Sequence, residues 1–434
     1  MESIYLNNYK EFSNKAKSFA SNFHPCIILD SCDTQPQLNK GFYKLIIGIG
    51  GEEVKISNTN KLDSLFRFWN INKPWIFGVI GYNLKNEIEK LSSQNNSCFG
   101  WPDLSFFVPT TIITVNWNDE LTINGIDCDS VFHSIQNYKF DEISINTISN
   151  SSDLLSDLNK ENHELAVNRI KYEILNGNVY ELNLCSRFLY ENISVSNAYQ
   201  LYEELTKISP APFSAYFSVN NKFVLSASPE RFLAKKNSTL ISQPIKGTRP
   251  RGKTNVEDEA FKNDLNLNKK DQAENVMIVD LVRNDMARVA EAGSIKADEL
   301  FGIYSYSHVH QMVSTVSSEL KKSLNWMDAI KALFPMGSMT GAPKIAAMKF
   351  IEEMEFSNRE WYSGALGYID PVGNMDFNVL IRSIFYDSLQ NKLAYYSGGA
   401  ITIDSNTDEE YNEMMIKAKA IDSLIKKYLN KKDI

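Results

Sequence analysis

Strands follow strands in this chain. Across residues 362–396 short apolar runs are broken by Gly364, Gly367 and Gly373, and the run Leu393-Ala394-Tyr395-Tyr396 continues the same meander. Parallel neighbours need crossovers of a dozen or more residues, so connections this short impose antiparallel pairing. A strict βαβαβ rhythm is absent, which favours an α+β domain with antiparallel sheets over a doubly wound parallel one. No GxxxxGK[ST] loop occurs. Gly48-Ile49-Gly50-Gly51 has Glu53 where a dinucleotide loop needs its third glycine, so it reads as a sharp turn.

The same alternation of apolar runs and turn signals fills residues 1–140. Cys26-Ile27-Ile28-Leu29, Tyr43-Lys44-Leu45-Ile46-Ile47-Gly48 and Thr111-Ile112-Ile113-Thr114-Val115 read as strands. A turn-rich stretch, Asn146-Thr147-Ile148-Ser149-Asn150-Ser151-Ser152-Asp153, packs poorly and marks the main boundary, between regions 1–145 and 161–430. Beyond it, longer helices alternate with strands such as Lys222-Phe223-Val224-Leu225-Ser226-Ala227. A net charge of −8, from 45 basic against 53 acidic residues, argues against a nucleic-acid surface. No signal pattern opens the chain, and no run approaches the length of an apolar membrane span. Five scattered cysteines, Cys26, Cys32, Cys98, Cys128 and Cys185, show neither CxxC spacing nor a disulfide framework. The expectation is a soluble cytoplasmic protein.

Three segments are dense in chemistry. In the first, Ser228-Pro229-Glu230-Arg231-Phe232 closes an apolar strand and Pro244-Ile245-Lys246-Gly247-Thr248 opens the next extended run. Glu230 and Lys246 could face one another across a hairpin as an acid/base or nucleophile pair. A cross-strand salt bridge is the simpler reading of that spacing. The second segment is a helix through residues 270–285, with Ala273, Met277 and Leu281 at helical spacing and Val276 and Val279 beside them. Asp271 and Glu274 share one face of it, as Glu410, Glu413 and Lys417 share a face near the C-terminus. Two carboxylate pairs suit a hard cation such as Mg²⁺, and equally suit two solvated helix faces. The third, Gly337-Ser338-Met339-Thr340-Gly341-Ala342-Pro343-Lys344, reads as a helix N-terminus. Gly398-Gly399 permits close backbone approach or a tight bend. Arg382, inside the apolar run 379–384 and so expected in a strand interior, needs an anionic partner, which a structural carboxylate or a ligand would supply.

In this order the segments 228–232, 244–252, 273–285, 340–344, 362–365 and 410–418 resemble the chorismate-utilising enzymes, over residues 161–427. The N-terminal third resembles the same family more loosely, through Ile28-Leu29-Asp30-Ser31 and Gly81-Tyr82-Asn83-Leu84-Lys85. The resemblance implies one intertwined α+β unit of two face-packed antiparallel sheets flanked by helices, with chorismate as substrate and Mg²⁺ as cofactor. In Pro-Ile-Lys-Gly-Thr, family members that aminate chorismate at C4 carry the lysine, here Lys246, where anthranilate synthases carry a small residue, usually Ala. The resemblance thus implies formation of 4-amino-4-deoxychorismate on the route to para-aminobenzoate and folate. It makes Lys246 the nucleophile at C2 and Glu230 the general acid for the departing C4 hydroxyl. Glu274 and Glu413 match the Mg²⁺ ligands, with Asp271 and Glu410 at supporting acidic positions. Gly398, Gly399 and Lys417 would help hold the ring carboxylate. Tyr362 and Arg382 match the binders of the enolpyruvyl carboxylate, and Ser338 a hydroxyl lining the pocket.

Two positions depart from the family pattern. Gln311 stands where many relatives have His, with His310 one residue earlier and therefore on the opposite strand face. Ala400 replaces a usual third glycine. No cysteine lies in a Gly-x-Cys-x-Gly nucleophile context, so the resemblance implies ammonia from a separate glutamine amidotransferase (glutaminase) subunit. The rival readings are anthranilate synthase component I, an isochorismate or salicylate synthase, and a non-catalytic chorismate-binding subunit.

Overall fold

The computed structural model describes residues 4–35, 37–38, 42–140, 148–150 and 154–429. Most of the turn-rich stretch 146–153 lies outside them. Among the described residues, strands form one sheet of twelve and one of ten, antiparallel throughout, plus a small ribbon of Ile148–Asn150 with Ile193–Val195. Strands from the first third of the chain enter both large sheets. Cys26–Asp30 pairs with Phe213–Val219 in the larger, and Ile76–Ile80 pairs with Ala365–Ile369 in the smaller.

Alternation along the strands explains how the layers stack. Ile27, Phe217, Val224 and Phe385 of the larger sheet share a core with Phe77, Phe106, Leu233 and Phe377 of the smaller. Their strand neighbours Ile28, Tyr216, Leu225 and Ile384 face the other way, against helices Tyr9–Ala20, Ala198–Ile208 and Thr407–Tyr428. Helices Lys269–Ala287 and Trp326–Leu333 pack on the smaller sheet through Ile278, Val282, Ala329 and Ile330. Each fully buried Ile, Leu, Val or Phe side chain among these contributes about 1.5–3 kcal/mol.

Several expected elements lie where their patterning puts them: Thr111–Val115, Cys26–Asp30, Leu45–Ile49 and Lys222–Ser228 are strands. The turn at Gly50 and Gly51 has φ of +68° and +94°, a backbone that glycine alone adopts easily. Two readings differ. Helix Lys269–Ala287 buries Asn275, Ile278, Val279, Val282 and Met286, so its inner face is rotated away from Ala273, which is exposed. The continuous apolar run 276–279 fits either phase, and packing chose between them. The C-terminal meander is also not one sheet. Met375–Val379 belongs to the smaller sheet and Ser383–Asp387 to the larger, so the chain changes layer at residues 380–382. Arg382 therefore lies outside the strand interior expected for it, in this link, with φ +50°.

A second change of layer runs beside the first. Lys222–Ser228 is in the larger sheet and Arg231–Lys236 in the smaller, so Pro229 and Glu230 form the link. The two links are laced together. Val379 N–H donates to Glu230 O (3.0 Å), Ala227 N–H to Arg382 O (3.1 Å) and Ser228 Oγ–H to Val379 O (2.6 Å). Polar side chains at such crossings are released from the sheet faces and can converge.

A buried guanidinium clamps this region. Arg359 donates Nη2–H and Nε–H to Glu355 at 2.6 and 2.8 Å, Nη1–H to Met339 O at 2.6 Å and Nη2–H to Asn183 O at 2.9 Å. Arg359→Met strands the Glu355 carboxylate in the interior and is expected to cost about 3–5 kcal/mol in urea unfolding. The double change with Glu355→Leu is expected to recover most of that loss.

Candidate active site

The layer crossings bring Glu230 to Ser338. Ser338 Oγ–H donates to Glu230 Oε1 at 2.6 Å, and both side chains are buried. Burial pushes the Glu230 carboxyl up to about 7, against the opposing pull of Ser338 and the Lys246 charge. A cavity of about 10 Å³, the size of one water, opens between Glu230, Pro244, Met336 and Ser338. Arg382 lies close enough for its charge to act on Glu230 and Tyr306, and it has no ion-pair partner among the described residues. Burial lowers its pKa for want of a fixed anion.

Lys246 is the second residue of the strand Ile245–Pro250, whose pairing with Val309–Glu319 is irregular between Ile245 and Thr248. Such a bulge re-aims side chains. The expected hairpin contact with Glu230 is not an ion pair; Lys246 Nζ instead lies 3.5 Å from Glu181 Oε1. Its charge still acts on Glu230, Glu274 and Glu413, which puts three elements around one amine.

The carboxylates of the two helices behave unequally. Burial raises Glu274, with Lys246 and Lys270 opposing. Burial also raises Glu410, offset by Ser405 and reinforced by Glu413. Glu413 keeps 55% of its side chain exposed; partial desolvation pushes its carboxyl up, but Lys417 (2.6 Å), Lys270 and Lys246 outweigh that and hold it below its ordinary range. Asp271 does not join them: Arg249 Nη2–H donates to it at 2.8 Å. A side-chain carbon on Gly399 would lie 3.5 Å from Glu410 Oε2 and 3.8 Å from Glu413 Oε1, so the glycine leaves bare backbone beneath both. Gly398 faces Cys185 across the strands, and its carbonyl accepts from Lys417 Nζ at 3.1 Å. Oxygen-only donors crowded beyond their nearby positive charge suit a hard divalent cation. Among the described residues no three His, Cys, Asp or Glu side chains group tightly enough to hold an ion alone. An ion here would depend on two carboxylates, water and a substrate anion.

One strand of the site was missed in the sequence. Along Glu181–Glu191, Leu182 and Leu184 enter an apolar cluster, while Glu181, Asn183 and Cys185 face the site. Glu181 meets Lys246; Asn183 Nδ2–H donates to Ser338 O at 2.8 Å; Cys185 Sγ is 3.4 Å from the Tyr362 hydroxyl. Tyr362 in turn stacks on Tyr396 with ring centres 4.6 Å apart. The polar–apolar alternation Glu-Leu-Asn-Leu-Cys is the signal that could have found them. At the first of the two departures, His310, the neighbour of Gln311, is occupied by Asp258 (3.0 Å) and Ser305 (2.8 Å). Gln311 is buried, and its Oε1 has no partner among the described residues. A separate cavity of about 50 Å³ lies between the sheets beside Asp30, Ser31, Tyr43 and Phe213, with Asp30 taken by Lys17 at 2.6 Å.

Residues 24–423 match the model of the chorismate binding enzyme family. The chain belongs to that family. Aminodeoxychorismate synthase component 1 of Bacillus subtilis is 34% identical over 357 residues, covering 79% of this chain and 75% of that protein. Anthranilate synthase component 1 of Saccharolobus solfataricus is 34% identical over 358 residues, covering 81% of each. The solved anthranilate synthase component I from Streptococcus pneumoniae superposes with a TM-score of 0.76 at 25% identity, over 87% of this chain and 91% of that one. The two-sheet α+β architecture is therefore the family fold, and the chain is a chorismate-binding enzyme. No helix among the described residues is long and apolar enough to cross a membrane.

Proposed function

We propose that this enzyme aminates chorismate at C4 with ammonia, giving 4-amino-4-deoxychorismate with the enolpyruvyl group retained. The observation that carries the reading is Lys246, a primary amine held in a semi-enclosed site within reach of a protonatable Glu230. Its nitrogen lone pair attacks C2, the ring double bonds shift, and the C4–O bond breaks. Glu230 donates the proton with which hydroxide leaves as water. Ammonia then bonds to C4, the double bonds shift back, and the C2–N bond to Lys246 breaks.

Arg382 offers its fork to the enolpyruvyl carboxylate, with Tyr362 beside it. Glu274 and Glu413 would hold Mg²⁺ and Glu410 would support them, while Asp271 acts at a distance through Arg249. When bound, the ion supplies positive charge for the ring carboxylate near Gly398, Gly399 and Lys417. The relatives named component 1 support a two-component enzyme, with a glutaminase subunit as the source of ammonia.

Anthranilate synthase is the second reading, favoured by the Saccharolobus and Streptococcus relatives and opposed by Lys246. Product identification by mass spectrometry separates them, using purified chain with chorismate, Mg²⁺ and ammonium at alkaline pH. The expected product is 4-amino-4-deoxychorismate; anthranilate with pyruvate release would overturn the proposal. With glutamine replacing ammonium, product is expected only after the glutaminase subunit is added.

A further inference from the structure

We infer that Glu181 is a catalytic residue of this site, the carboxylate that accepts the proton Lys246 must lose before it attacks. The inference rests on the lysine-nucleophile reading above. Glu181 opens the strand Glu181–Glu191, where it pairs with Ala342 on one side, while the next residue, Leu182, starts the pairing with Ile401 on the other. The side chain is 2% exposed, its Oε1 lies 3.5 Å from Lys246 Nζ, and its Oε2 has no hydrogen-bond partner among the described residues. A buried carboxylate oxygen without a protein partner is free to take up a proton or a ligand's hydrogen.

The reaction supplies such a proton. An ammonium has no lone pair and cannot attack carbon. Four carboxylates face this amine: Glu181 from its strand, Glu230 from the layer crossing, Glu274 from helix Lys269–Ala287 and Glu413 from helix Thr407–Tyr428. Glu230 is bonded to Ser338 and is needed in its acid form, and Glu413 is paired with Lys417. Glu274 has Lys270 at 4.0 Å, and the charge of Arg382 acts on Tyr306 and Glu230. Among the described residues Glu181 alone has both contact with Nζ and an oxygen without a partner. The proton passes from Lys246 Nζ to the adjacent Glu181 carboxylate across the 3.5 Å contact, leaving a neutral amine with its lone pair. The freed lone pair forms the C2–N bond, the C4–O bond breaks, and Glu230 protonates the departing hydroxide. When Lys246 leaves C2 in the second half, Glu181 returns the proton to its nitrogen.

The test compares wild type, Glu181→Gln, Glu181→Asp and Lys246→Arg, following 4-amino-4-deoxychorismate formation from pH 6 to 10, with folding checked by thermal unfolding. Glu181→Gln keeps the shape and loses the base. Its rate is expected to fall about 10²–10³-fold at pH 7, and the deficit to shrink as rising pH lets solvent take the proton. Glu181→Asp is expected to restore part of the pH 7 rate. A Glu181→Gln rate within about threefold of wild type, a loss equal at every pH, or Glu181→Asp no better than Gln would each overturn the inference while an inactive Lys246→Arg left the parent reading standing. An active Lys246→Arg enzyme, or anthranilate from wild type, overturns both.

Discussion

Lys246→Ala is expected to lower 4-amino-4-deoxychorismate formation by about 10³–10⁴-fold, the scale of losing a covalent nucleophile together with its proton-transfer partner. Steady-state assays with saturating ammonium measure it. Alanine also leaves Glu181 buried without its cation, so part of the loss could come from the fold. Lys246→Arg removes that ambiguity. Its guanidinium keeps the charge opposite Glu181 but stays protonated and offers no lone pair at any accessible pH. An equal loss in both variants, with Arg unfolding like wild type, identifies the amine itself as what matters. Retention of a tenth of the wild-type rate by Lys246→Arg would remove the lysine from the chemistry. Intact-mass measurement adds an independent readout: with ammonium withheld, an adduct on wild type should be absent from both variants.

Glu230→Gln is the second large effect, and it should run in opposite directions for activity and stability. With its carboxyl pushed up to about 7, Glu230 remains largely protonated where an ordinary glutamic acid is ionised. As the acid that protonates the departing hydroxide, it should place the falling limb of the pH–rate profile near pH 7. Glutamine, which has no proton to give, should cost about 10²–10⁴-fold and erase that limb. Stability follows from the same burial. Between the unfolded value near 4.5 and the folded value near 7, the folded state holds a proton that the unfolded chain has released. Stability therefore declines across that window, reaching a penalty of about 3 kcal/mol above it, and is unaffected below pH 4.5. Glu230→Gln keeps an acceptor for Ser338 without the ionisable group. It should unfold at higher urea than wild type at pH 8 and at nearly the same urea at pH 4. A variant no more stable at pH 8 would show that the carboxyl is not held protonated by burial.

Much of this enzyme is legible along the chain. The short continuous apolar runs within Cys26–Asp30 and Thr111–Val115, bounded by turn residues, specify strands, and both are buried on both faces. Short glycine-marked connections specify antiparallel neighbours. The family motifs carry Glu230, Lys246, Ser338 and the two carboxylate-bearing helices, since residue type and local spacing are what a motif records. Less visible is anything that depends on which surface meets which. The run 276–279 is apolar in every phase, so only packing against the smaller sheet decided that Ile278 and Val282 turn inward while Ala273 stays in solvent.

Arg382 shows the same limit at the site. Its neighbours Val379-Leu380-Ile381 and Ser383-Ile384 look like one strand, yet the chain changes sheets between them and the arginine takes φ +50° at the step. Nothing local announces that step, because it is set by how the layers stack. Lys246 and Glu181 stand far apart in sequence and meet only because their strands end at the same seam. By itself the sequence determined the fold class and the family and pointed to most polar groups of the candidate site, all through periodicity and short motifs. The tertiary structure decided which carboxylate touches the amine, that Asp271 is diverted to Arg249, and that two layer crossings gather the acid and the arginine. Those outcomes depend on distances between segments remote in the chain, which packing and burial set and local pattern does not contain.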